Sequence, residues 1–316
     1  MILTVTLNTA LDITYRVPAL VPATTHRVGE VIERPGGKGL NVARVLSALG
    51  HESVVTGFAG GRTGDVLREL LAGSGGGPGA ASPGPVDALV PIAGATRRTV
   101  AVVDRTTGTT TQLNEPGPTV STAEWAAFLT GYDRLLTGAD AVALCGSLPP
   151  GIHVGAYAEL IRRARGAGVP VLLDTGGEPL RRGIAARPDL VKPNAVELAG
   201  LTGARDPLPA ALDTRRRGAH CVIASLGADG LLAVTPDGVW QAAPPVAARG
   251  NPTGAGDSAV AGLLSGLVEG LAWPARLTRA VALATATVLA PAAGEFDARS
   301  YEELLPRVAV TERRTA

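Results

Sequence analysis

Residues 139–174 read ADAVALCGSLPPGIHVGAYAELIRRARGAGVPVLLD. Two short apolar runs, 139–144 and 169–174, are bounded by turn residues as strands are, while 154–165 between them repeats apolar residues at helical spacing. The same alternation extends in both directions. Strand-like runs recur at 2–7, 53–58, 190–192 and 221–225, and helical patterns at 40–49, 64–71, 122–136, 195–201 and 208–217. Strands alternating with helices predict an α/β fold, a doubly wound and mostly parallel sheet flanked by helices on both faces.

Two regions break that rhythm. Residues 12–35 and 88–114 are rich in Val, Thr and turn residues and predict short antiparallel strands, a small β-sheet lid on a single domain spanning 1–316. Residues 73–85, GSGGGPGAASPGP, cannot bury enough surface to order themselves and read as a mobile surface loop. The polar tail after Pro306 is expected to fray. Near the C-terminal end, Val260, Leu263, Leu264, Leu267, Val268 and Leu271 repeat at helical spacing and predict an amphipathic helix over 258–270.

Composition narrows the function. Of 316 residues, 46% are hydrophobic and 18% charged, enough apolar material for a sizeable core. A formal net charge of +1 gives no global attraction for nucleic acid or an anionic membrane, so any bound anion must be met by a local cluster. No apolar run approaches the roughly 20 residues of a membrane helix. The start MILTVTLNTA lacks the charged segment and cleavage site of a signal peptide, and Cys145 and Cys221 lack metal-ligand spacing, so the expectation is reduced thiols in the cytoplasm. The chain has 27 arginines but two lysines, Lys38 and Lys192, each inside a compact Gly- or Pro-marked motif. In so arginine-rich a chain, a retained lysine suggests a site that wants a compact ammonium instead of a planar fork.

Immediately before the last helical pattern stands Asn251-Pro-Thr-Gly-Ala-Gly-Asp257. Gly254, Ala255 and Gly256 are small residues at a helix start, where unpaired N–H groups and the positive end of the dipole point outwards, so they suit an anion hole. Asp257 then places a carboxylate beside a bound phosphoryl group, able to accept a hydroxyl proton. Taken alone, the same residues also fit a plain helix start with a dipole-complementing acid.

The motif resembles the Gly-Ala-Gly-Asp of the ribokinase-like (phosphofructokinase B type) carbohydrate kinases, most closely their 1-phosphofructokinase and tagatose-6-phosphate kinase branch, and the similarity runs from residue 1 to about 294. The resemblance implies that Asp257 is the catalytic base and that Gly254, Ala255 and Gly256 form the anion hole. Pro35-Gly-Gly-Lys-Gly-Leu-Asn-Val-Ala-Arg44 is similar to the family's sugar-binding motif, which implies substrate-binding roles for Gly36, Gly37, Lys38 and Asn41. Asp12 matches the acid that grips sugar hydroxyls. Arg27 and Arg97, in the expected lid, match arginines of the phosphofructokinase branch, and a guanidinium holds phosphate through paired charge-assisted hydrogen bonds. Ser147, in Cys145-Gly-Ser-Leu-Pro-Pro-Gly151, falls in another family motif. Lys192-Pro-Asn-Ala-Val-Glu-Leu198 resembles the Asn-x-x-Glu motif, in which Asn194 and Glu197 act on Mg²⁺ through water, and Lys192 joins the nucleotide side. Ser225, Gly227 and Gly230 resemble the nucleotide loop. Departures from the pattern are Thr9 for a usual proline, Gly176 for a usual serine, and Pro252-Thr253 where Thr-Val is common.

The resemblance implies an ATP- and Mg²⁺-dependent kinase of a ketohexose phosphate, first of all fructose 1-phosphate, with tagatose 6-phosphate and fructose 6-phosphate as alternative acceptors. A monovalent cation is a further candidate cofactor, and the lid's apolar underside implies a homodimer. A dinucleotide-dependent oxidoreductase is disfavoured because no Gly-x-Gly-x-x-Gly follows the first strand, and the Walker lysine pattern is also missing. A non-catalytic sugar-phosphate sensor on the same fold should have lost its base or anion hole, and both are intact.

Overall fold

Apolar residues alternate along the central strands, and the two sets face different helical layers. Leu3, Val5, Val142, Leu144, Val171 and Leu173 join one buried cluster, while their neighbours Ile2, Ala141, Ala143, Cys145 and Leu172 join another. Strands apolar on both sides belong inside a sheet covered on both faces.

The computed structural model describes residues 1–74, 83–248, 250–290 and 295–313. The chain begins with β1 (Ile2–Thr6), β2 (Ala10–Val17), β3 (Glu30–Gly36), α1 (Lys38–Ala48), β4 (Ser53–Gly60) and α2 (Gly61–Gly73). It continues through β5 (Val86–Asp87), β6 (Val90–Ile92), β7 (Arg97–Asp104), β8 (Thr110–Asn114), α3 (Thr122–Leu136), β9 (Ala141–Cys145) and α4 (Ala156–Gly166). Next come β10 (Val171–Asp174), α5 (Gly177–Ala185), β11 (Leu190–Val191), α6 (Ala195–Thr202), α7 (Pro207–Arg216) and β12 (Cys221–Ser225). The last elements are β13 (Leu231–Thr235), β14 (Gly238–Ala243), α8 (Ala255–Val268), α9 (Trp273–Leu289), α10 (Ala298–Leu304) and β15 (Ala309–Arg313).

Among the described residues, eleven strands form the main sheet in the order β15-β14-β13-β12-β11-β10-β9-β1-β4-β5, with β6 also on β4. From β12 to β5 the pairs are parallel, and β13, β14 and β15 add an antiparallel edge. Helices α3 to α7 cover one face, and α1, α8 and α9 the other. The expected doubly wound architecture is therefore present.

A second, four-stranded sheet runs β3-β2-β7-β8. It differs from the expected lid in two respects. Its central pair, β2 with β7, is parallel, and Val90–Ile92 does not belong to it but pairs with β4 at the main sheet's edge. The hydrogen bonds from Ala88 N to Val55 O (2.8 Å) and from Thr56 Oγ1 to Ala88 O (2.9 Å) draw that segment onto β4. The tail also departs from expectation. Ala309–Arg313 pairs with β14 in register Ala242↔Val310, and Val310 packs on the core that holds Trp240. The glycine-rich loop expected over 73–85 falls largely on residues 75–82, outside the described residues.

Candidate active site

The parallel strands end along one edge of the main sheet, where α/β proteins place ligands. Asp174 ends β10 and is 1% exposed. Lys38, at the start of α1, places Nζ 3.2 Å from Asp174 Oδ2, and Lys192, just after β11, places Nζ 3.4 Å from Oδ1. The chain's two lysines thus meet on one carboxylate. Burial alone would raise the pKa of Asp174, but Lys192 and Lys38 outweigh it and hold the group below the usual carboxylate range. Lys38 is held above its ordinary value: burial works against the ammonium, and Asp174 and Asp257 overcome that effect.

Across from this triad, α8 opens at Gly254, whose φ of 87° lies in the left-handed region that favours glycine. Ala255 N is paired with Pro252 O at 3.2 Å, whereas the amides of Gly256 and Asp257 have no backbone acceptor among the described residues. Lys192 Nζ lies 3.6 Å from where a side chain on Gly256 would begin, so an ammonium stands beside these open amides. Asp257 is 7% exposed, and its Oδ2 accepts a hydrogen bond from Asn41 Nδ2 at 2.8 Å. Burial pushes its pKa up to about 6, with Asp174 adding to the rise and Lys38, the Asn41 hydrogen bond and Lys192 opposing it. A buried carboxylate tuned close to neutrality, next to a cationic helix start, can take a proton beside a transferring anion.

The small sheet supplies the other wall. Its register puts Asp12 opposite Arg34 and Thr99, on the face shared with Arg97 and Asn114. The Asp12 carboxyl group rests against the bare backbone of Gly36, where any Cβ would overlap it, and accepts a hydrogen bond from Thr99 Oγ1. Burial raises the pKa of Asp12, opposed by that hydrogen bond and by Arg97. Arg97 is placed by Thr96, whose Oγ1 accepts from Gly60 N at 3.0 Å and so fixes the start of β7 to the end of β4. Its guanidinium donates to Asn8 O (3.3 Å) and Glu115 O (3.2 Å), and Nη2 has no partner among the described residues. Between the walls lies a cavity of about 490 Å³, lined among others by Thr6, Asn8, Gly37, Lys38, Arg97 and Ser147. That volume suits a small ligand.

The residues expected to bind the nucleotide surround the ends of β11 and β12. Asn194 and Glu197 form a reciprocal cap on α6: Asn194 Oδ1 accepts from Glu197 N, and Glu197 Oε2 from Asn194 N, both at 2.8 Å. Glu197 Oε1 faces Gly176, 3.1 Å from where a Cβ would stand, which is a physical reason for glycine in place of serine. Asn194 bridges to Ser225, and the 3₁₀ turn Gly227–Asp229 is closed by Leu226 N donating to Gly230 O at 2.9 Å. Arg27 is not brought to the cavity. It is exposed in the loop between β2 and β3, a segment without regular structure. Sequence reasoning missed Asp174 as the partner of both lysines and missed Asn8. An acid at a strand end was visible, but nothing in the chain order says which acid the two lysines meet.

Residues 5–298 match the family described as pfkB family carbohydrate kinase. A 1-phosphofructokinase of Rhodobacter capsulatus is 39% identical over 298 residues, 92% of this chain and 92% of its own length. Among solved structures, one described as a possible 1-phosphofructokinase of Thermotoga maritima superposes with a TM-score of 0.87 at 28% identity, covering 99% of this chain and 100% of that one. Phosphofructokinase-2 of Escherichia coli in complex with potassium gives a TM-score of 0.87 at 28% identity, covering 96% and 98%. The match runs from the end of β1 through α9 and takes in every residue of the cleft described above, and on that extent the chain belongs to the pfkB family of carbohydrate kinases, phosphotransferases with an alcohol group as acceptor.

Proposed function

We propose that this chain transfers the γ-phosphoryl group of ATP to a hydroxyl of fructose 1-phosphate, giving fructose 1,6-bisphosphate and ADP. The observation that carries this reading is Asp257, buried in the first turn of α8 and aligned by Asn41, with Lys192 beside the open amides and Lys38 paired to the same Asp174 carboxylate as Lys192. Asp257 takes the acceptor's proton, while the amides of Gly256 and Asp257 and the two ammonium groups hold the charge spread over the transferring oxygens. Asp12 and Asn41 grip sugar hydroxyls, and Arg97 and Ser147 hold the phosphate already on the sugar. Ser225, Gly227 and Gly230 seat the nucleotide. Asn194 and Glu197 would hold Mg²⁺ through water, and the ion would supply positive charge that offsets that of the phosphates. Glu197 Oε1, the oxygen not used in capping, fits a role through metal-bound water.

The relative's 1-phosphofructokinase name favours fructose 1-phosphate. The likeness to phosphofructokinase-2 supports fructose 6-phosphate as a second acceptor, and the potassium in that structure's description supports a monovalent-cation site. Turnover with fructose 1-phosphate, fructose 6-phosphate, tagatose 6-phosphate and fructose, each with ATP and Mg²⁺, tests the assignment. Equal rates with fructose and its phosphates would overturn it.

The small sheet acts as the lid over the cavity and as a dimer surface. Its face away from the cavity aligns Tyr15 with Val31 and Val102, and Ile13 with Val100 and Leu113, and leaves Val31 54% and Leu113 59% exposed. A second copy of the sheet would cover them. No helix among the described residues is long and apolar enough to cross a membrane, and work in the cytoplasm on soluble metabolites suits the substrates.

A further inference from the structure

Asn8 follows β1 at the floor of the cavity, and its amide reaches two other segments. Its Nδ2 lies 3.1 Å from Pro116 O and 3.1 Å from Ser147 Oγ. A carbonyl oxygen can only accept, so the nitrogen end of the amide must face Pro116, and its second proton then goes to Ser147. Because the Ser147 oxygen receives that proton, its own O–H is released to donate elsewhere. Ser147 is exposed and lines the cavity beside Arg97. The backbone oxygen of Asn8 accepts from Arg97 Nε at 3.3 Å, so the same residue also orients the guanidinium. Asn8 Oδ1 is buried without a partner, which leaves the nitrogen side as what holds the amide in place.

We propose that Asn8 is a positioning residue for the acceptor's phosphate: its side chain turns the Ser147 hydroxyl into a donor, and its main-chain oxygen, kept in every variant at this position, aims the Arg97 fork at the same point. The inference rests on the reading that Arg97 and Ser147 hold that phosphate. It concerns specificity and not chemistry, since Asn8 makes no hydrogen bond with Asp257 among the described residues. An acceptor without a phosphate gains nothing from it.

The test compares Asn8→Ala, Ser147→Ala and the double variant, with fructose 1-phosphate and fructose as acceptors. A charge-assisted hydrogen bond lost to the phosphate corresponds to roughly a 10- to 100-fold change, so Asn8→Ala should raise KM for the sugar phosphate by that factor. Both kcat and the KM for ATP should stay within a few-fold. In the Asn8→Ala background, Ser147→Ala should add less than about twofold, because the two act as one unit. Asn8→Asp is the second variant. Its carboxylate accepts from Ser147, turning the hydroxyl proton away from the cavity, so its KM should exceed that of Asn8→Ala. Multiplicative effects of the two single variants, equal changes with fructose and its phosphate, or an Asn8→Asp KM within twofold of wild type would overturn the proposal. Should Ser147→Ala and Arg97→Ala raise KM while Asn8→Ala does not, only the role of Asn8 falls; should none of them raise it, the phosphate assignment falls as well.

Discussion

Asn41 Nδ2 donates to Asp257 Oδ2 across 2.8 Å, joining residues 216 positions apart at the starts of α1 and α8. The bond favours the ionised carboxylate and fixes one oxygen; in the proposed reaction the other faces the acceptor hydroxyl. It does so in a buried place that pushes the pKa up to about 6.

A base with that pKa is protonated below pH about 6 and competent above it, so kcat/KM should rise through this pH and level off above about 7. Asp257→Asn keeps the size and the Asn41 contact but cannot take the proton. It should lose on the order of 10² to 10⁴ in kcat, with ATP affinity within a few-fold. A folded variant keeping more than about a tenth of wild-type kcat, with chemistry limiting, would remove Asp257 from the role of base.

The same raised pKa predicts a gain in stability for that variant. A carboxyl that binds its proton more tightly folded than unfolded contributes stability below its unfolded value of 3.8, and loses it as pH rises through about 6. Asparagine suffers no such loss. Asp257→Asn should therefore melt at a higher temperature than wild type at pH 7.5, with the gap narrowing toward pH 4.5, as read by calorimetry at both pH values.

Asp174 titrates in the opposite sense. Its pKa is lowered by Lys192 and Lys38, so its contribution is present above the unfolded carboxylate range and lost as the pH falls through the lower, folded value. Asp174→Asn strands two ammonium groups, one of them deeply buried. Breaking a buried pair of this kind costs about 3–5 kcal/mol, which urea unfolding at pH 7.5 would show as a lower midpoint. A midpoint equal to wild type would refute the triad's stabilising role.

Arg97→Ala removes the guanidinium proposed to hold the acceptor's phosphate and leaves the Gly227–Asp229 turn untouched. KM for the sugar phosphate should rise by roughly 10- to 100-fold, the equivalent of about 1.5–3 kcal/mol, and KM for ATP should hold. Similar losses for both substrates would place Arg97 elsewhere in the mechanism.

Gly36→Ala is the smallest change expected to disable sugar binding. Its methyl group would overlap the Asp12 carboxyl group, which must then leave Thr99. Titration calorimetry should show weaker sugar-phosphate binding with ATP binding retained. Unchanged sugar affinity would mean that Asp12 does not grip the substrate.

The central sheet and the 254–257 motif were legible in the sequence because each is written locally, as apolar runs between turns and as small residues before an amphipathic helix. Lys38 and Lys192 were legible as an oddity of composition. Their meeting on Asp174 was not, since it depends on how β10 and β11 lie side by side. The Ala309–Arg313 strand escaped for the same reason: only its pairing with β14 makes it a strand, and its polar outer residues read as tail. Val90–Ile92 and Arg97–Asp104 look alike as sequence, and the pairing of Ala88 with β4 is what assigns the first to the main sheet.

The convergence of both lysines on Asp174 makes this chain unusual as an object of chemical labelling. A reagent that acylates lysine side chains finds its targets only inside the cleft, and of the two only Lys38 is accessible, with 42% of its side chain exposed against 5% for Lys192. Its raised pKa keeps it protonated and slow to react except at strongly alkaline pH, and the terminal amine of Met1 is a second target for the same reagent, so labelling Lys38 alone requires that amine to be blocked first. A fluorophore on Lys38 would then sit at the cavity that this residue lines.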